Sequence, residues 1–375
     1  MIYRQYGKTE DYVSAIGFGG MRFDDKMTPE DAASMVQFAY DSGINYFDTA
    51  PMYCKDMSEK YYGMAFKEMK KTRDSKPFFV STKTRDFLPD KIRKSVERSL
   101  QRFDLEYIDF LHLWCVMNLE DYRGRVFMGT LKTLEKLKEE HLIRHICVST
   151  HMNGDDIGTM LESYPFDGVL LGYSVMNFAY REKALDVAKR LNDGVAIMNP
   201  LGGGLIPRNP NQFAFVKTQE NETVVEGALR FLLDDNRITL MLVGFSSIEH
   251  IKEALSAVNG YHPLTEQDHK NIRQNLTETF NSLCTGCRYC DHCPQHIAIP
   301  KFMDAYNQYL LTKQKKYMIE RLTWHWGNFK DALKLNSCLH CGLCEKSCTQ
   351  HLPIMERLQE LYDAVQEDKS LHSKK

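Results

Sequence analysis

VSAIGFGG, residues 13–20, is the stretch on which the fold turns. Its apolar and β-branched residues suit a buried strand, so the question is what its glycines prepare. An open doubly wound sheet places a G-x-G-x-x-G turn after its first strand, leading straight into a helix that receives a pyrophosphate. GFGG (17–20) has neither that spacing nor a helical pattern directly behind it. A closed parallel barrel is the expectation instead.

Seven further runs of strand length follow: NYFDTA (45–50), PFFVSTK (77–83), IDFLHLW (108–114), IRHICVST (143–150), DGVLLGYS (167–174), GVAIMNPL (194–201) and ITLMLVGF (238–245). Between them lie segments with apolar residues at helical spacing, such as TPEDAASMVQFAYDSG (28–43) and LPDKIRKSVERSLQRF (88–103). Eight strand–helix repeats within roughly 250 residues predict an α/β fold, a (β/α)₈ TIM barrel. The expected organisation is a barrel over 1–260, a helical connector over 261–282, a small, mainly α-helical domain over 283–367, whose cysteine runs below make it ferredoxin-like, and a disordered tail over 368–375.

The last third carries its own repeat. CTGCRYCDHCPQHIAIPKFMDAYNQYL (284–310) and CLHCGLCEKSCTQHLPIMERLQELYDAV (338–365) share a cysteine run, a Gln-His pair and an amphipathic helix. A helical spacer with Trp324 and Trp326 separates them. Cys284, Cys287 and Cys290, and likewise Cys338, Cys341 and Cys344, are spaced so that three thiolates wrap one face of a cubane cluster. In two-cluster ferredoxins the fourth cysteine of each run serves the other cluster. Cys348 is therefore assigned to the first trio and Cys293 to the second, giving two [4Fe–4S] clusters. Structural zinc is the alternative, but it usually takes separated C-x₂-C knuckles rather than four cysteines in one short run. Two departures stand out: x₂ rather than x₃ precedes Cys293, and Thr349 stands where proline usually follows the last cysteine. Cys54, Cys115 and Cys147 suit small buried hydrophobes.

Composition narrows the function classes. With 48 basic and 50 acidic residues the formal charge is −2, without the cationic surplus nucleic-acid binding needs. No signal-peptide pattern opens the chain and no apolar run is long enough to span a bilayer, so a cytoplasmic protein is expected.

Barrel sites are built at the C-terminal ends of strands. Asp48 ends the second run, Tyr53 lies just beyond it, Lys83 ends the third and His112 sits near the end of the fourth. An ammonium beside a tyrosine favours the tyrosinate, a carboxylate neutralises the ammonium, and a histidine adds a donor for a carbonyl oxygen. That set suits proton transfer to a carbonyl oxygen while hydride reaches its carbon. Barrels commonly bind phosphate with the loops after strands seven and eight. Here these carry Pro200, Leu201, Gly202, Gly203 and Gly204, and then Gly244, Ser246 and Ser247.

GFGGMRF (17–23), NYFDTAPMY (45–53), STK (81–83) and IDFLHLW (108–114) together resemble the aldo-keto reductase family over roughly residues 1–260. The whole chain looks like the iron–sulfur-containing branch of that family. The resemblance implies Tyr53 as proton donor, tuned by Lys83 and Asp48, with His112 orienting a small-molecule carbonyl or alcohol substrate. It also implies NADP or NAD across the strand ends, near Tyr173 and Ser174. Met198 stands where the family typically stacks an aromatic ring on the nicotinamide, and Gly244 and His250 where it often reads a 2′-phosphate.

Nicotinamide passes two electrons together and a cluster passes one, a mismatch that a flavin normally bridges. FMN is thus a further cofactor candidate, although no flavin motif is found. Three readings follow: a carbonyl reductase whose clusters exchange electrons with a ferredoxin or flavoprotein; an electron-transfer protein whose barrel is a docking or flavin scaffold; and a reductase with purely structural clusters.

Overall fold

A computed structural model describes residues 1–24, 26–275, 282–326, 332 and 335–372. The chain divides into two units, Met1–Leu201 with Phe213–Ile272, and Gly202–Gln212 with Arg273–Lys375.

In the first unit eight parallel strands close a barrel: β3 (Ile16–Gly19), β4 (Tyr46–Asp48), β5 (Phe79–Thr84), β6 (Ile108–Val116), β7 (Ile143–Thr150), β8 (Gly168–Gly172), β9 (Gly194–Met198) and β10 (Leu240–Gly244), with β10 pairing back to β3. Nearly every strand residue is buried, as parallel strands covered on both faces must be. Helices between the strands start where the sequence signals them. Thr28 accepts from the Asp31 amide ahead of Pro29–Asp41, and Thr223 and Glu226 form a reciprocal capping box on Val224–Asp234.

The strand expected at 13–20 is shorter than its apolar run. Tyr12–Ser14 (β2) instead pairs antiparallel with Tyr3–Gln5 (β1), and the barrel strand begins only at Ile16. This hairpin delivers Tyr6 into the barrel interior, among Tyr46, Phe79, Phe110, Leu170 and Leu240. The Tyr6 ring lies 4.4 Å from Phe110 and is stacked on Tyr46 at 6.1 Å. Room for it comes from Gly168 and Gly194, where an added Cβ would lie 2.5 and 2.2 Å from the ring. Strand β6 outruns its expected end by two residues; its register shifts between Leu113 and Val116, where Cys115 turns left-handed at φ 59°.

The second unit packs helices Ile299–Thr312, Lys315–Glu320 and Ile354–His372 around Phe302, Met303, Leu322, Leu358, Leu361 and Val365. The sequence repeat is also a backbone repeat. Gly286 and His340, Arg288 and Gly342, and His296 and His351 occupy matching positions, and all six are left-handed. The last helix takes in residues expected in the tail, while 373–375 lie outside the described residues, as do 276–281 of the expected connector and the Trp324 side chain. Among the described residues no helix is long and apolar enough to cross a membrane.

Candidate functional site

Parallel pairing brings the polar strand ends of the barrel into adjacency. Asp48 stands opposite Ser81 across β4 and β5, and Lys83 opposite His112 across β5 and β6. The Lys83 ammonium donates to Asp48 Oδ2 at 2.6 Å and to the Thr49 carbonyl at 2.7 Å, and Ser81 donates to Asp48 Oδ1 at 2.8 Å. Both charges are buried. Burial pushes the Asp48 carboxyl up and the Lys83 ammonium down, and each is opposed by the other's charge. Paired with a carboxylate and bonded to a carbonyl, the cation survives in a place that would otherwise neutralise it.

Lys83 Nζ lies 5.1 Å from the centre of the Tyr53 ring, and Trp114 meets the same ring edge-on at 5.7 Å. No side chain among the described residues hydrogen-bonds to either ring nitrogen of buried His112. Burial first, then the Lys83 charge, pulls its pKa down to about 3, outweighing the opposing contribution of the Val148 backbone. His112 is therefore a neutral imidazole with one N–H to donate.

The turn holding Tyr53 is unusual. Met52, Cys54, Lys55 and Asp56 all have positive φ, between 51° and 72°, without a glycine among them. Left-handed backbone at such residues costs about 1–2 kcal/mol each and persists only where surroundings enforce it. The enforcing contacts are visible. Arg102 grips both Asp56 oxygens at 2.8 and 2.6 Å and reaches Glu59 at 2.9 Å, and Asp56 accepts from the Met52 amide at 3.1 Å. Buried Glu59 in turn accepts from Thr82 and Ser99. The Arg102 hydrogen bonds hold the Asp56 carboxyl down at about 2.

The dinucleotide candidates are dispersed. Tyr173 and Ser174 are buried just beyond β8, with Ser174 bonded to Asn177 at 3.1 Å. Pro200 and Leu201 close the first unit's long segment, while Gly202, Gly203 and Gly204, at φ 60°, 66° and 91°, begin the segment belonging to the second unit. Gly244 ends β10, Ser246 bonds His250 at 3.1 Å, and Ser247 caps Ile248–Asn259. Two cations stand near these loops. The Arg22 stem lies where a Cβ on Gly244 would sit, 2.5 Å from it, so glycine there leaves a cationic side chain beside an exposed strand end. Fully buried Arg181 donates to the carbonyls of His151, Met152 and Gly172, binding the loops after β7 and β8; burial brings it down to about 10. Arg22 sits within GFGGMRF, so its motif flagged it; nothing local flagged Arg181 or Arg102.

In the second unit each cysteine run is completed by the other. Cys284, Cys287, Cys290 and Cys348 line one cavity, and Cys293, Cys338, Cys341 and Cys344 another. Among the described residues no three metal-binding side chains converge on a single-ion site, so these thiols ring a space rather than a point. Four soft donors around a cavity suit an iron–sulfur cluster. Burial pushes Cys290 up to about 12 and Cys344 to about 11, and raises Cys284 and Cys348 as well. Such thiols lose their protons to iron rather than to solvent. Asn307 clasps the first run, accepting from the Cys284 amide and donating to its carbonyl, both at 2.8 Å.

Comparison with known proteins agrees with this division. A family model described as the aldo/keto reductase family matches residues 15–276, and one described as a 4Fe–4S dicluster domain matches 283–353. L-galactose dehydrogenase of Arabidopsis thaliana is 29% identical over 283 residues, covering 68% of this chain and 87% of its own length. Probable aldo-keto reductase 1 of Glycine max is 27% identical over 208 residues, 51% of this chain and 57% of its own. Among solved structures, the holo form of aldo-keto reductase AKR11C1 from Bacillus halodurans superposes with a TM-score of 0.63 at 22% identity, covering 74% of this chain and 97% of that one, which shows the shared fold.

Proposed function

We infer the function from the premise that this chain belongs to the aldo/keto reductase family and is an oxidoreductase with a 4Fe–4S dicluster domain. In the proposed reaction a small-molecule carbonyl is reduced, or the corresponding alcohol oxidised, at the barrel mouth, and the dicluster unit exchanges single electrons with a redox partner. The observation that carries the reading is the buried Asp48–Lys83 ion pair beside the Tyr53 ring.

A bound nicotinamide dinucleotide supplies hydride. The residues around Gly244 suit its anionic part: Arg22 brings positive charge, and the Ser247-capped helix end presents backbone N–H groups. Tyr53 gives the substrate oxygen its proton. Lys83 makes that easier by stabilising the tyrosinate left behind, and Asp48 keeps Lys83 charged and in place. His112, neutral, donates a hydrogen bond to the same oxygen without competing for the proton. Arg102, through Asp56 and Glu59, holds the strained turn that aims Tyr53. In the second unit the eight cysteines would hold two clusters, which supply one-electron transfer.

Anaerobically purified protein, titrated with NADPH and NADH while its visible spectrum is recorded, tests the reading. Nicotinamide oxidation by a carbonyl substrate, lost in Tyr53→Phe, is expected. Bleaching of the clusters by nicotinamide ties the two units into one circuit; bleaching only with added FMN points to a flavin partner. A wild-type protein that binds neither nicotinamide sinks the proposal.

A further inference from the structure

The two cysteine cages are duplicates in backbone and unequal in chemistry. Aligning Gln295-His296 with Gln350-His351 pairs their linings position by position. Leu352 and Ile354 of the first cavity match Ile297 and Ile299 of the second, and Pro300 and Met303 match Met355 and Leu358. Where the match breaks, it breaks in one direction. Thr285, Arg288 and Thr349 line the Cys284/Cys287/Cys290/Cys348 cavity, and Leu339, Gly342 and Pro294 occupy the same places in the other. In the same alignment Arg357 corresponds to Phe302, and both are almost wholly buried.

These differences bear on the sulfurs. The Thr349 hydroxyl, which proline replaces in the other cage, lies 3.4 Å from Cys287 Sγ. Arg357 packs its guanidinium over the Tyr306 ring at 5.0 Å. Its Nη1 is buried without a hydrogen-bond partner among the described residues. Burial lowers its pKa, opposed first by Tyr306 and then by Cys284, Cys348 and Glu360.

We propose that the Cys284/Cys287/Cys290/Cys348 cluster has the higher reduction potential of the two, and that Arg357 and Thr349 are the tuning residues that raise it. Reduction adds one negative charge to a cluster and its thiolates. A nearby cation and hydrogen bonds to sulfur stabilise that added charge, whereas proline and phenylalanine offer nothing to it. Solvent acts the other way, since Cys341 of the second quartet is exposed. A buried guanidinium is screened much less than an exposed charge, so its contribution prevails. An electron arriving at the Cys293/Cys338/Cys341/Cys344 cluster then passes to the other, oxidising the first and reducing the second by one electron each, and rests there.

The inference relies on both quartets holding clusters, and its test separates the two claims. Iron and sulfide analysis of the anaerobically purified full chain asks first whether two clusters are present; fewer removes the premise. An EPR-monitored redox titration should then resolve two one-electron steps. Arg357→Met should lower only the upper step, by at least a tenfold change in the oxidised-to-reduced ratio, about 59 mV for one electron. Arg357→Lys should restore most of it, and Thr349→Val should lower the same step by less. Coincident steps in the wild type, or an unmoved upper step in variants holding both clusters, overturn the proposal. If Arg357→Met loses a cluster, Thr349→Val decides alone, because it deletes one hydroxyl at nearly constant shape.

Discussion

Lys83 Nζ donates to Asp48 Oδ2 at 2.6 Å across two adjacent barrel strands, and both groups are buried. A buried ion pair of this kind is weak evidence for stability, because desolvation offsets most of its Coulomb energy. Its position 5.1 Å from the Tyr53 ring instead suits the role in proton transfer proposed above. Breaking one partner strands a charge, which makes both the pair and its neighbour open to experiment.

Tyr53→Phe keeps the ring that packs on Trp114 and removes only the hydroxyl. Carbonyl reduction should fall by about 10²-fold or more, the usual contribution of a positioned acid, while nicotinamide binding stays near wild type. Steady-state kinetics alongside a direct binding titration separate the two.

Arg102→Met leaves Tyr53 in place chemically but releases the grip on Asp56 and Glu59 that holds the left-handed turn. A lower kcat, by about 10- to 100-fold, with little change in nicotinamide KM is expected from misplacing one reacting group. Equal losses in both constants would assign Arg102 to the fold rather than to the aim of Tyr53.

His112 sets a pH dependence of stability. Its folded pKa, about 3, lies below the ordinary 6.5, so under acid the unfolded chain takes up a proton that the folded chain refuses. Stability should therefore fall as pH drops below about 6.5, with a slope of up to about 1.4 kcal/mol per unit from this group. Denaturant midpoints of the wild type and His112→Gln between about pH 5 and 7 check it; the variant should lose that share of the slope.

Tyr6→Ala empties the inside of the barrel beneath Tyr46 and Phe110. A loss of about 3–5 kcal/mol is expected for an aromatic deleted from a packed core, with the kcat of the surviving folded protein unchanged.

Exchange of cysteines between the runs predicts a pattern of iron loss. Cys293→Ala and Cys341→Ala line the same cavity, so the double variant should keep about half the iron, as each single one does. Cys293→Ala with Cys287→Ala strikes both cavities and should leave almost none. Iron analysis after anaerobic purification distinguishes the cases.

Much of the barrel is legible locally, because a parallel strand buried on both faces must be apolar along its length, and IDFLHLW (108–114) or GVAIMNPL (194–201) could hardly be otherwise. The run VSAIGFGG misled at its start for the same reason. Val13 is buried whether its strand belongs to the barrel or to a hairpin, and apolarity does not distinguish the partners. Asp48, Lys83 and His112 were visible because parallel register aligns strand ends. Arg102 was not, since its carboxylate partners lie 46 and 43 residues away and an arginine on a helix looks solvated until its neighbours are known.

The sequence by itself determined the features whose cause is short-ranged. The strand–helix alternation follows from burial periodicity, the cysteine trios from the reach of neighbouring thiols to one cluster face, and the duplication of the second unit from its repeated Gln-His turns. Tertiary structure alone decided what depends on distant chain segments meeting. It set Tyr6 as the barrel's plug, placed Gly202–Gln212 with the second unit, and buried Arg357 at the position where the repeat has Phe302. The physical reason is that a charge acquires its meaning from its surroundings: Arg357 is one more helical arginine in the sequence, and a buried cation over the Tyr306 ring only once the helices are packed.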